Sequence, residues 1–257
     1  MPNILLTRRD SVAVVSLNRP EVLNAMTLNM WRELASLFSG LAGDDGIRAV
    51  VLSSSGPDFC VGADVSEFDR IRENKDQSAA YEVSVDACSA AIANLAKPVI
   101  AAVSGYCLGG GCHLALACDF RFADHTAKLG IPSAKLSIVY GVKSVQRLMA
   151  IAGTVNAKRM LYSGQRYDVA GSQSMGLVDE VCNDVKTAAV EYAATLAANA
   201  PLSIAGAKFM LNGLSMGDGG LDVAAAQRII DLAADSEDFR EGRLAFAEKR
   251  APRFRGR

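Results

Sequence analysis

The sequence predicts an α/β fold, in which helices cover a largely parallel and buried sheet. β-branched apolar runs alternate with helical patterns through the first half of the 257-residue chain, and this alternation is typical of parallel sheets. Hydrophobic residues make up 50% of the sequence and charged residues only 21%, so a sizeable core can form. The length fits one large domain, or a domain plus a helical extension.

Local signals place the individual elements in order. Apolar runs predict strands at 12–17, 48–52 and 98–103, and shorter strands at 119–123 and 177–181. Thr27 is expected to cap a helix that runs to about Leu41, because its hydroxyl can accept a hydrogen bond from the first free amides. From about Lys143 the pattern is mainly helical, with amphipathic helices predicted at 188–198, 203–211 and 221–248.

Charge and composition argue against several classes of function. The formal net charge of −1 is not that of a general nucleic-acid or anionic-membrane binder. No apolar run is long enough to span a bilayer, and the first residues do not resemble a signal peptide. The six cysteines form no CxxC pair and the chain has two histidines, so we expect reduced thiols and no metal site. These features predict a cytoplasmic protein.

The glycine-rich run from Gly105 to Gly111 is the most informative segment. It follows the predicted strand at 98–103 and leads into a helical pattern, so it lies at a strand-to-helix junction. Glycine leaves the backbone N–H groups open to a ligand, and a helix N-terminus stabilises negative charge. In acyl-transfer chemistry that charge is a carbonyl oxygen that becomes an oxyanion.

Common nucleotide-binding and hydrolase motifs do not explain these glycines. The chain has no GxGxxG, no lysine of the P-loop type after Gly111, and no GxSxG nucleophile elbow. Tight packing of the strand against the helix remains an alternative explanation at this point. A second segment, FCVGAD at 59–64, also follows a predicted strand and turn and offers an exposed amide at Ala63.

Together these motifs closely resemble the crotonase superfamily, the enoyl-CoA hydratase/isomerase family. The resemblance also includes NRP at 18–20, NAM at 24–26 and the C-terminal pattern at 238–250, in order and spacing. It implies a crotonase-like spiral of ββα turns over residues 1–195 and a C-terminal helical trimerisation region over 196–257. It further implies a homotrimer or hexamer, an acyl-CoA thioester as substrate, and no cofactor beyond the coenzyme A moiety.

The resemblance also assigns site residues. By this match the backbone N–H groups of Ala63 and Gly110 form an oxyanion hole for the thioester carbonyl. The candidate coenzyme A-binding residues are Arg19, Ala25, Ala63, Asp64 and Lys249. We also expect the polar segment at 67–76 to border the pocket. The basic C-terminal tail is expected to be a solvated end, with a phosphate contact as the alternative.

The chain departs from the family's hydratases at two positions. Hydratases carry two glutamates there, whereas this sequence has His113 and Ser133. Adding water needs one group that takes a proton and another that returns one. We expect His113 to be neutral, because it lies in the first turns of the glycine helix. Tyr140 is similar in position to a pocket tyrosine of methylmalonyl-CoA decarboxylases, although those carry a histidine where this chain has Ala63.

The sequence therefore predicts an acyl-CoA enzyme that stabilises an enolate, by isomerase, decarboxylase or hydrolase chemistry rather than standard hydration. The candidate catalytic residues are Ala63, Gly110, His113, Ser133 and Tyr140. Two alternatives stay open: a non-catalytic acyl-CoA-binding protein, and an atypical enoyl-CoA hydratase that uses His113. For the side chains, purely structural roles also stay open, with His113 lining a pocket and Tyr140 packing as an aromatic.

Overall fold

Strands and helices alternate along the chain in the computed structural model, which describes residues 2–216 and 220–257. The first part contains β1 (Ile4–Arg9), β2 (Val12–Leu17), α1 (Leu28–Ala42), β3 (Ala49–Ser54), α2 (Phe68–Ile71), α3 (Lys75–Ala93), β4 (Val99–Val103), β5 (Tyr106–Leu108) and α4 (Gly110–Ala117). The second part contains β6 (Phe120–Ala123), β7 (Lys128–Gly130), α5 (Val142–Ser163), β8 (Arg166–Asp168), α6 (Val169–Ser174), β9 (Glu180–Val181), α7 (Val185–Ala197), α8 (Pro201–Met216), α9 (Val223–Asp235) and α10 (Glu237–Glu248).

The strands form two sheets. The larger sheet has the order β1-β2-β3-β4-β6-β9, and every pair in it is parallel except β1 with β2. The smaller sheet has the order β5-β7-β8, and its first strand lies within the glycine-rich run. A largely parallel sheet needs helices on both faces, and the α/β prediction is confirmed.

Both faces of the larger sheet are covered by apolar side chains. On one face, α1 buries Trp31, Leu34 and Phe38 in the main core, which continues under α3 and α4. On the other face, α7 packs Ala189 and Ala193 against β3 and β4. Because β3 and β4 are buried along their whole length, the loops at their carboxyl ends start from rigid positions.

Some predicted elements are confirmed and one is wrong. The Thr27 hydroxyl accepts a hydrogen bond from Met30 N at 3.2 Å and caps α1 as predicted. The single helix predicted over 221–248 is two helices, because Ser236 adopts an extended conformation and caps α10 through a 2.9 Å bond from Phe239 N. The strand β1 and the short strands β5, β7 and β8 were not predicted.

The C-terminal helices are tied to the sheet by polar contacts. Lys208 on α8 donates to Asp119 Oδ2 at 2.7 Å and to Lys97 O at 3.0 Å. The division predicted between residues 195 and 196 falls in the last turn of α7 and stays a prediction. Within the described ranges, no helix is long and apolar enough to cross a membrane.

The last residues lie on α10 rather than extending into solvent as a free tail. The carboxylate of Asp238 accepts hydrogen bonds from Arg255 N at 2.6 Å and Gly256 N at 2.7 Å. Arg48 also donates to Phe254 O at 3.1 Å. The arginine side chains of this segment are exposed, as expected, but its backbone is fixed.

Candidate functional site

Two loops that follow β3 and β4 are joined by a short backbone bridge. Cys60 N donates to Tyr106 O at 2.9 Å, and Leu108 N donates to Cys60 O at 2.9 Å. The glycine helix then packs directly on this bridge, because a Cβ atom at Gly111 would lie only 2.2 Å from Cys60 O. Only glycine fits at position 111, and its lack of a side chain allows the glycine helix to pack closely on the loop that contains Cys60.

The Ala63 amide is left without a hydrogen-bond partner by this arrangement. Met26 N donates to Gly62 O at 2.8 Å, and Asp64 N donates to Met26 O at 2.9 Å. The Gly62 carbonyl and the Ala63 N–H belong to one trans peptide, so the N–H points away from Met26. No acceptor in the described part of the chain receives it.

The Gly110 amide is the second unpartnered donor. Gly110 is the first residue of α4, and Gly109 O accepts the first helical bond from His113 N at 3.0 Å. The Gly110 N–H, in the same peptide as that carbonyl, therefore points out of the helix N-terminus. Among residues 2–216 and 220–257 no oxygen accepts it, and the helix dipole makes its surroundings favourable for negative charge.

Gly62 brings the two amides together. A Cβ atom at position 62 would lie 2.9 Å from Gly110 N, and the Gly62 φ of 102° is in the left-handed region that favours glycine. Both conditions exclude a larger residue. The structure thus brings the Gly110 amide against Gly62, which precedes Ala63. The predicted role of the two amides as an oxyanion hole stays a prediction.

A cavity of about 120 Å³ is lined by both of these residues. Its apolar and aromatic lining includes Trp31, Val65, Phe68, Tyr81, Val85 and Ile138. Its polar lining consists of Arg72, Glu82, His113, Ser133, Tyr140 and Ser144. A mostly apolar cavity with a few convergent polar groups is typical of a small-molecule site.

Tyr140 lies in the cavity wall and is anchored to the glycine run. Its hydroxyl donates to Gly109 O at 2.7 Å. Burial raises the pKa of the Tyr140 phenol well above its ordinary value, so the group remains a donor. Its ring meets the His113 ring edge to face, with centroids 6.3 Å apart.

His113 lies in the first turn of α4 and is only 2% exposed. Burial and the positive charge of Arg147 lower the pKa of His113 to about 3. The imidazole is therefore neutral, as expected, but the main cause is burial rather than the helix dipole. Among the described residues, its buried Nε2 atom has no hydrogen-bond partner.

The other predicted residues divide into two groups. Ser133 is buried in the wall, on a 3-10 helix at Pro132–Leu136. Arg19, Ala25 and Asp64 lie together outside the cavity lining: Arg19 donates to Ala25 O at 2.7 Å and to Asp64 Oδ2 at 3.0 Å. The hydrogen bond from Ser66 and, to a smaller extent, the ion pair with Arg19 lower the pKa of the Asp64 carboxyl.

Lys249 is not brought to the cavity by its own chain. It ends α10 in a left-handed conformation with φ 55°, and its side chain is exposed. The predicted contact of this lysine with coenzyme A stays a prediction, as do those of Arg19, Ala25 and Asp64. Arg250 beside it is engaged by Glu241 and Glu248.

Glu82 is a cavity residue that the sequence does not predict. Arg72 and Glu82 form an ion pair at 3.2 Å on the side of the cavity formed by α2 and α3. The expectation that the segment at 67–76 borders the pocket is confirmed by Phe68 and Arg72. Glu82 gave no signal, because a single glutamate on an amphipathic helix normally belongs to a solvated face.

Comparison with known proteins agrees with this geometry. The sequence model described as enoyl-CoA hydratase/isomerase matches residues 7–257. The chain belongs to the enoyl-CoA hydratase/isomerase family. A Bacillus subtilis relative, whose name assigns it to the enoyl-CoA hydratases/isomerases, is 36% identical over 258 residues, which cover 99% of this chain and 98% of the relative. The 2,3-dehydroadipyl-CoA hydratase of Escherichia coli is 32% identical over 259 residues and all of both chains.

Solved structures of the family show the same fold. The crystal structure of an enoyl-CoA hydratase/carnithine racemase from Magnetospirillum magneticum matches with a TM-score of 0.94 and 33% identity, over 100% of this chain and 97% of that one. This likeness confirms the crotonase-like α/β fold with its C-terminal helical region. Family membership also accounts for the order of the motifs at 18–20, 24–26, 59–64 and 105–118.

Proposed function

We propose that this protein binds an acyl-CoA thioester with its carbonyl oxygen between the amides of Ala63 and Gly110, and stabilises the enolate that forms there. The observation that carries this proposal is the pair of unpartnered amides, which come from separate loops and border one cavity. Two preorganised donors act on the charge as it develops, and one such donor typically contributes about 2.7–4 kcal/mol of transition-state stabilisation.

The reaction that best fits the side chains is isomerisation, decarboxylation or thioester hydrolysis. Standard hydration in this family uses two glutamates, and by the resemblance their positions hold His113 and Ser133. Neither offers a carboxylate, and a His113 pKa of about 3 keeps the imidazole neutral. The proposed chemistry therefore depends on stabilising an enolate, or the tetrahedral oxyanion of hydrolysis, rather than on adding water across a carbon–carbon double bond.

A non-catalytic acyl-CoA-binding protein is the second candidate. It is favoured by the same neutral His113 and by the engagement of the Tyr140 hydroxyl with Gly109 O, since both groups can line a binding pocket without moving protons. The relatives named as hydratases keep the third candidate, an atypical hydratase that uses His113, open to test.

A panel of acyl-CoAs separates these candidates. Isothermal titration calorimetry measures binding of acetyl-, butyryl-, crotonyl-, malonyl-type and β-keto thioesters against free coenzyme A, and mass spectrometry measures turnover. We expect the thioesters to bind more tightly than free coenzyme A and at least one to be converted. Binding without turnover would favour the binding protein. Absence of binding to every thioester would overturn the proposal.

The assembly and the remaining contacts are proposed on the same basis. We propose a homotrimer or hexamer, because the C-terminal helices leave large apolar side chains exposed, among them Leu232, Phe239 and Phe246. Coenzyme A would then meet Arg19, Ala25, Asp64 and Lys249, no other cofactor would be needed, and the protein would work in the cytoplasm. Sedimentation of the wild type and of Phe246→Glu tests the assembly, with dissociation expected for the variant.

A further inference from the structure

Glu82 is a carboxylate in the cavity that the roles above leave unused. It lies on α3 and lines the same cavity as Ala63 and Gly110, with 36% of its side chain exposed. Its Oε2 atom lies 3.8 Å from the position that a Cβ atom would take on Gly141. The carboxylate therefore faces the wall that begins at Tyr140.

Arg72 fixes the other carboxylate oxygen. Arg72 Nη2 donates to Glu82 Oε1 at 3.2 Å, and the guanidinium lies over the rings of Phe68 at 4.9 Å and Tyr81 at 4.8 Å. With 14% of the Arg72 side chain exposed, this stacking restricts the guanidinium to one position. In the described ranges no donor reaches Glu82 Oε2, so one carboxylate oxygen is available to a bound molecule.

The other titratable groups of the cavity are poor proton acceptors at neutral pH. The pKa of His113 is about 3, so its imidazole is a very weak base. Burial raises the pKa of the Tyr81 and Tyr140 phenols, which stay protonated. Burial also raises the pKa of Glu82, although the charge of Arg72 opposes this and that of Asp86 adds to it. A carboxylate with a raised pKa is the better general base.

We propose that Glu82 is the proton-transfer residue of this site, acting on the α-carbon of a bound acyl-CoA. This inference rests on the proposed function. In the step, the α C–H bond breaks and its electron pair forms the enolate double bond. The carbonyl π pair moves to the oxygen held by Ala63 and Gly110, and the proton binds the Glu82 carboxylate.

Return of the proton decides the product. If it goes back to the α-carbon, the substrate exchanges hydrogen with solvent. If a 3-enoyl thioester is bound, return at the γ-carbon gives the conjugated 2-enoyl isomer, with no water consumed and no change of oxidation state. One carboxylate is sufficient for this sequence, whereas hydration needs a second acid or base.

The test compares Glu82→Gln with Glu73→Gln, a change at an exposed glutamate just before α3. Each protein is incubated with butyryl-CoA in D₂O for mass spectrometry of the α-carbon, and with 3-hexenoyl-CoA for absorbance of the conjugated product. Calorimetry measures affinity for both thioesters. We expect Glu82→Gln to bind within about twofold of wild type and to lose exchange and isomerisation by about 100-fold or more, with Glu73→Gln unchanged.

A pH profile separates proton transfer from a structural role. The rate of exchange by wild type should rise with pH as Glu82 loses its proton. This rising limb of the pH profile should be absent from Glu82→Gln. Arg72→Met removes the opposing charge, so the limb should move to higher pH. Exchange by Glu82→Gln at the wild-type rate would overturn the inference, as would thioester binding by wild type without exchange. Absence of any thioester binding would instead overturn the proposed function.

Discussion

The Tyr140 hydroxyl donates a 2.7 Å hydrogen bond to the carbonyl oxygen of Gly109, and this carbonyl shares a peptide unit with the Gly110 N–H. Because the peptide is planar and trans, the bond on one side sets the direction of the N–H on the other. Hydrogen bonds in series also polarise one another. Tyr140 thus positions the proposed oxyanion hole through the backbone, a role that the sequence comparison with a decarboxylase tyrosine did not suggest.

Tyr140→Phe should reduce turnover or acyl-CoA affinity without abolishing either. The variant keeps the aromatic ring beside His113 but loses one hydrogen bond, worth about 0.5–1.5 kcal/mol. We expect turnover or acyl-CoA affinity to fall by about 2- to 10-fold, measured by steady-state kinetics and calorimetry. Tyr162→Phe is the matched control, since Tyr162 is 74% exposed on α5. Equal turnover and affinity of the two variants would show that the hydrogen bond from Tyr140 is not needed to position the Gly109 peptide.

Gly110→Pro tests the main-chain donor directly. Proline lacks the N–H and is tolerated at the first position of a helix. Gly110→Ala keeps the N–H and adds a Cβ atom 3.0 Å from Trp31 Cζ2, so it is the control for crowding. We expect the proline variant to lose about 10²- to 10³-fold more turnover than the alanine variant. Circular dichroism checks folding. Equal turnover by the proline and alanine variants would show that the Gly110 amide is not part of the oxyanion hole.

Most of the longer elements could be predicted because their signals are local, whereas the largely exposed edge strand β1 has no such apolar signal. Val99–Val103 is a continuous apolar run, and Thr27 carries a side chain suited to a helix cap. The strands β5, β7 and β8 have three residues each, and their pairing joins segments such as Leu108 and Gly130. No local pattern specifies such a pairing, because it depends on tertiary contact.

The site shows the same division. Glycines at a strand-to-helix junction indicated open amides there, and a second loop indicated one at Ala63, whereas the choice of Gly110 came from the family resemblance. Glu82 and its ion pair with Arg72 could not be predicted, since the pair depends on how α3 packs beside the glycine helix. The neutral state of His113 was predicted, but its main cause is burial, which only the fold reveals.

His113 should make the stability of the protein depend on pH. Its pKa falls from 6.5 in the unfolded chain to about 3 in the folded one, so between these values the unfolded state binds more protons. The free energy of unfolding therefore decreases as pH falls below about 6.5, with a slope approaching 1.4 kcal/mol per pH unit. His113→Gln should flatten this slope between about pH 6.5 and pH 4, measured by urea unfolding.

The second histidine provides the control for this slope. His125 is exposed, and His125→Gln should leave the pH dependence of unfolding as it is in wild type. A His113→Gln protein whose stability followed the wild-type curve would mean that His113 takes up a proton in the folded state. That outcome would restore His113 as an acid and favour the atypical hydratase.

Asp238 should decide whether the C-terminal segment stays attached to α10. Asp238 is 4% exposed, and its carboxylate accepts the bonds from Arg255 N and Gly256 N. A hydrogen bond to a charged group is worth about 1.5–3 kcal/mol. We expect Asp238→Ala to release the segment and to accelerate trypsin cleavage after Arg253 and Arg255 by about 10-fold or more, measured by mass spectrometry of the native protein.

Glu237→Ala is the control, because Glu237 contacts the same segment through an exposed ion pair. The side chains of Arg257 and Glu237 are 64% and 60% exposed, and such pairs contribute little to stability. Cleavage of this variant should match wild type. If Asp238→Ala were equally resistant, the bonds from Arg48 to Phe254 O and Asn199 O would be sufficient to hold the segment, and Arg48→Ala should then release it.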